Sequence, residues 1–95
     1  MYNLFFILVP ENCQYDRLPG YYTSAGATVM SQYTTEGACL GGCDGQSDCV
    51  ACSFRKASGS SSVLCSFFKT IPTNLVNNPN YVIYTQRAGC ISKYI

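Results

Sequence analysis

The stretch Cys39-Leu40-Gly41-Gly42-Cys43-Asp44-Gly45-Gln46-Ser47-Asp48-Cys49-Val50-Ala51-Cys52-Ser53-Phe54 carries four of the chain's seven cysteines. Cys39 and Cys43 stand four residues apart, so on a helix they share one face and both can reach an adjacent sheet. Thr34-Thr35-Glu36 has the form of a helix start, with Thr34 or Thr35 as N-cap and Glu36 where the helix dipole favours an acid. A helix is therefore expected over about residues 35–43. Gly41 and Gly42 weaken it by roughly 1 kcal/mol each relative to alanine, so it depends on being stapled to something else. Asp44–Asp48 reads as a polar turn, and Cys49–Phe54 has the character of a strand.

Working outward, Val63–Phe68 reads as the return strand of a hairpin whose flexible tip is Ala57–Ser62. Tyr81–Thr85 is a β-branched and aromatic strand. Ile71–Asn80, with Pro72, Pro79 and four asparagines, is expected to be a loop. Segment 11–34, rich in turn formers and tyrosine, is expected to be irregular or short-stranded. At the start, the apolar run Leu4–Val9 is too short for a membrane helix, and it lacks a signal peptide's basic leader and small-residue cleavage site. It reads as a further β-strand, ended by Pro10. The whole describes one α+β domain over 1–95, with an antiparallel sheet against one short helix, a core at 11–90 and an additional N-terminal strand at 1–10.

With 95 residues there is room for one modest core, and seven cysteines point to covalent support in an oxidising, secreted setting. The chain has no histidine and no double CxxC knuckle, so neither a zinc site nor a Cys–His nucleophile is indicated; no metal or cofactor is expected and the chain reads as a non-enzyme. Asp44 and Asp48 lack the ligand density of a calcium loop and read as turn residues. A net charge of +1, with 12% charged residues and no basic run, argues against nucleic-acid or anionic-membrane binding, and the shortness of the apolar run Leu4–Val9 argues against membrane insertion.

The spacing Cys39-x3-Cys43-x5-Cys49-x2-Cys52-Ser53-Phe54, followed by Cys65, resembles the PAN/apple superfamily of disulfide-stapled extracellular modules. Thr35-Glu36, the strand Tyr81–Thr85 and the flanking Cys13 and Cys90 fit the same resemblance, which spans roughly residues 11–90. It implies the bridges Cys39–Cys65, Cys43–Cys49 and Cys13–Cys90; the sequence alone leaves 15 pairings of six cysteines open. At Cys52 the family usually has a large apolar residue. Three fates stay open for this odd thiol: a small hydrophobe buried in the strand, an intermolecular bridge, or pairing in place of Cys49.

The resemblance further implies an extracellular recognition module that binds protein or carbohydrate. Tyr21, Tyr22 and Tyr33, with Tyr15, can serve as stacking platforms or anchors, or as core filling in a protein without tryptophan. Arg55, beside Lys56, can meet an anionic glycan or remain a solvated surface pair. A different expectation comes from residues 4–9: strand addition to a neighbouring copy would make the chain a structural subunit of an extracellular filament or polymer.

Overall fold

A computed structural model of the chain describes residues 14–56 and 64–87. The expected strand at 4–9, the hairpin tip at 57–62, and Cys13 and Cys90 lie outside the described residues.

The helix, α1, runs over Glu36–Asp44. Thr35 is its N-cap, with extended backbone and a hydroxyl that accepts from the Ala38 N–H at 3.1 Å. Of the four N–H groups that a helix start leaves without an internal partner, the cap satisfies one. Glu36 sits in the first turn, and Gly45 closes the other end by donating to the Gly41 carbonyl at 3.0 Å. Gly42 has a second role besides weakening the helix. A Cβ there would stand 2.4 Å from Cζ of the Tyr33 ring, so the missing side chain is what lets Tyr33 lie against α1.

Among the described residues, five strands form one antiparallel sheet: β1 (Tyr15–Tyr22), β2 (Thr28–Val29), β3 (Ala51–Arg55), β4 (Leu64–Phe68) and β5 (Val76–Gln86), in the order β1-β5-β3-β4-β2. β4 and β5 are both antiparallel to β3, so they run parallel to each other, and residues 69–75 must carry the chain back along the length of the sheet. α1 packs on β3 and β4. On that face lie Cys52, Phe54, Cys65, Phe67 and Val82, joined in one cluster with Cys39, Cys43 and Cys49, and flanked by Tyr15, Met30, Tyr33, Leu40 and Tyr84.

The other face is buried too: Ala51, Ser53, Ser66, Phe68 and Ile83 are each at most 3% exposed. This explains why β3 and β4 lack the alternation of a one-sided sheet. Burial on both faces gives a continuous run of apolar and small residues instead. Filling such positions with Phe68, Ile83 and Val82 contributes roughly 1.5–3 kcal/mol per side chain.

Two expectations need correction. Segment 11–34 is not irregular or merely short-stranded, because Tyr15–Tyr22 is an eight-residue strand. Likewise 71–80 is not wholly loop, since β5 begins at Val76 and runs through Pro79. The prolines are accommodated in different ways. Gln14 and Arg87 form a hydrogen-bonded pair, so by alternation Tyr15, Arg17 and Pro19 point their backbone polar groups away from β5. Pro19 thus occupies a position where no N–H is required. Between the pairs Pro19↔Val82 and Tyr21↔Asn77, Gly20 alone faces residues 78–81, a wide bulge that absorbs Pro79. Gly20 takes φ +83° there, a conformation that glycine adopts without strain.

Candidate functional site

Two disulfides tie α1 down. Cys39 bonds Cys65 in the middle of β4, and Cys43 bonds Cys49 just before β3. In a chain-entropy model the two loops contribute about 3.5 and 2.4 kcal/mol, an upper bound because one lies inside the other. Cys52 belongs to neither bridge. It is 1% exposed within the same cluster, and Cys49, its candidate competitor for a partner, bonds Cys43.

Polar clips fasten the helix to the far side of the sheet. Arg17 Nε on β1 donates to Glu36 Oε2 at 2.8 Å, and Arg17 Nε also meets the Tyr84 hydroxyl at 3.1 Å. The Tyr84 hydroxyl donates to Glu36 as well. The Arg17 hydrogen bond holds the Glu36 carboxyl below the usual range, and burial together with Glu36 pushes the Tyr84 hydroxyl up. At the other end of α1, the Tyr15 hydroxyl donates to Asp44 at 3.2 Å; burial first, and the Asp44 charge second, raise its pKa. Arg87, just past the end of β5, pairs with Asp16 of β1 at 2.7 Å.

The candidate binding residues separate. Tyr22 comes to the bulged end of the sheet, its ring centroid 4.1 Å from that of Tyr81 and tilted by 40°. Tyr81 stands opposite Arg55 in the β3–β5 register, so Tyr22, Tyr81 and Arg55 share this end. Tyr21 is 39% exposed and faces Asn77 across the β1–β5 pairing. The Asn78 side chain accepts from the Asn80 N–H at 3.1 Å, and the Asn80 carbonyl accepts from Lys56 at 3.0 Å, so the bulge is hydrogen-bonded into β3. Tyr33 is elsewhere: it stacks on Phe67 with centroids 5.6 Å apart, over Gly42, and serves the core.

Tyr81 and Asn77 were legible as strand and loop but not as neighbours of Tyr22 and Tyr21. Only the β1–β5 pairing brings together residues that far apart in the chain. The Arg17–Glu36–Tyr84 cluster carries no local motif at all. Asp48, in the turn after α1, accepts from Gln46 Nε2 at 2.9 Å and lies 3.6 Å from Lys69 Nζ; the Gln46 bond first, then Lys69, keeps its carboxyl low. Among the described residues, no three His, Cys, Asp or Glu side chains converge as a metal-holding group, and no helix is long and apolar enough to cross a membrane. Comparison of the chain with protein-family models, curated proteins and solved structures finds no match.

Proposed function

We propose that the chain is a non-catalytic, extracellular recognition module of the PAN/apple type that binds protein or carbohydrate. The observation that carries this reading is the double staple of one short helix, Cys39 to β4 and Cys43 to the approach of β3, over an antiparallel sheet. That is the arrangement the resemblance implies. The two disulfides among the described residues support an oxidising, secreted setting. Three of the described acids support a non-catalytic role, because each is engaged in holding elements together: Asp16 with Arg87, Glu36 with Arg17 and Tyr84, and Asp44 with Tyr15.

The surface proposed for a partner is the bulged end, with Tyr21 and the Tyr22–Tyr81 pair beside Arg55. Tyrosines supply large, rigid contact area with a polar tip, the usual chemistry of binding anchors. Arrays of glycans and extracellular proteins, probed with the oxidised chain, test this. A ligand whose binding falls by roughly thirtyfold in Tyr22→Ala, the size of a hot-spot loss, supports the reading. Absence of any ligand, with concentration-dependent self-association instead, defeats it.

The filament reading finds less support at β1. Along the first part of its outer edge, Tyr15 and Arg17 point an N–H outward and Pro19 has none, and charged pairs flank the strand, the usual means of blunting an edge. Size-exclusion chromatography of the full chain and of a Δ1–10 chain separates the two readings, since a monomer in both cases is incompatible with assembly through residues 4–9.

A further inference from the structure

The short β2 covers only part of β4, and beside it a cavity of about 230 Å³ opens between the sheet edge and the turn from α1 to β3. Its floor is apolar: Cys49 and Phe67 are buried, and Met30 is half-buried against the core. Its rim is polar, formed by Thr28, Asp48 and Lys69, with Gln46 beside Asp48. The rim is pinned in place. The Cys43–Cys49 bridge closes the turn, Gln46 N–H donates to the Cys43 carbonyl at 3.0 Å, and Cys49 N–H donates to the Gln46 carbonyl at 3.1 Å. Gln46 Nε2 then orients the Asp48 carboxylate at 2.9 Å.

Size and charge select the occupant. Pockets for drug-sized ligands span about 300–1,000 Å³, so this cavity suits a single ring. Asp48 and Lys69, 3.6 Å apart, leave the rim neutral while presenting a strong acceptor and a strong donor side by side. A cation placed there meets the Lys69 ammonium, and an anion meets the Asp48 carboxylate. A hydroxyl both donates and accepts, so two adjacent hydroxyls answer both groups at once. A ring with an apolar C–H face then has Met30 and Phe67 beneath it.

We infer that this notch binds a neutral saccharide ring, with Asp48 and Lys69 each engaging one of two adjacent hydroxyls and Thr28 closing the rim. The inference rests on the recognition reading and names the ligand class, but it places the site at the β2–β4 edge, away from the tyrosines of the bulged end.

The test is an amide-shift titration of the oxidised, full chain by NMR with glucose, galactose, mannose and N-acetylglucosamine. The expected result is that at least one sugar shifts the amides of Thr28, Met30, Asp48 and Lys69. Asp48→Asn and Lys69→Gln should each weaken that binding by about tenfold or more, the worth of a hydrogen bond to a charged group. Thr28→Phe, which fills the notch and leaves the ion pair intact, should block it. Both charged side chains are more than half exposed, so the folded spectra of these variants should match the wild type. Shifts confined to Tyr21, Tyr22 and Tyr81 would overturn the notch while leaving a recognition module in place. Binding unchanged in Asp48→Asn and Lys69→Gln would overturn the assigned residues. Silence toward every sugar, with a protein ligand bound at the tyrosine end, would overturn the saccharide class alone.

Discussion

At the scale of single residues, Glu36 illustrates how one side chain joins three elements. It opens α1, takes the Arg17 guanidinium of β1 and accepts from the Tyr84 hydroxyl of β5. Its carboxyl is held below the ordinary range, so its contribution to stability is present above the unfolded pKa of about 4.3 and is lost as pH falls through the folded value. Glu36→Gln is therefore expected to lower the thermal midpoint at pH 7, with the gap to wild type closing as pH drops below about 4.3; a pH series of melts on both proteins checks this. Cys52 makes a second residue-level prediction. At 1% exposure it should resist alkylation in the native protein and react once denatured, read by intact mass. Of these two residues, Glu36 was legible as a first-turn acid. Its partners were not, because they lie 19 and 48 positions away.

At the scale of elements, α1 shows local and tertiary signals in agreement at its ends and in conflict at its middle. Thr35 as N-cap and the spacing of Cys39 and Cys43 were readable because capping and helical periodicity are local physics. Gly41 and Gly42 look equivalent in sequence, yet the fold separates them. Nothing lies near a Cβ at Gly41, whereas one at Gly42 collides with the Tyr33 ring. Gly41→Ala is expected to stabilise by roughly 1 kcal/mol. Gly42→Ala is expected to gain nothing or to lose stability, because Tyr33 must leave its stack on Phe67. In a Tyr33→Ala background, Gly42→Ala should recover the gain; denaturant midpoints of the four proteins form the check. The strands β1 and β5 were harder to read because Pro19-Gly20 and Asn78-Pro79-Asn80 signal turns. They are strands because Pro19 faces outward from the ladder and the bulge opposite Gly20 absorbs Pro79.

At the scale of the whole molecule, two bridges and a sheet buried on both faces hold together a helix that would not survive alone. The helix is short, glycine-weakened and dependent on Cys39–Cys65 and Cys43–Cys49 for its place. Reduction should therefore unfold the domain, seen as collapse of the thermal transition and of the circular dichroism. Replacing Cys39 and Cys65 by serine should cost more than replacing Cys43 and Cys49, in the order of about 3.5 against 2.4 kcal/mol set by loop length. A protein whose dichroism and melting midpoint ignored reductant would contradict this account. The sequence by itself determined the class: an α+β domain with a capped short helix and strands expected over Cys49–Phe54 and Val63–Phe68, with the helix staples implied by the family resemblance rather than by the residues alone. Those features rest on local propensity, periodicity and covalent chemistry. Only the tertiary structure decided the strand order, the length of β1 and β5, the meeting of Tyr22 with Tyr81, the burial of Tyr33 against Gly42, and the neutral notch of Asp48 and Lys69. These depend on pairings between residues far apart in the chain, and long-range register leaves no trace in any one segment.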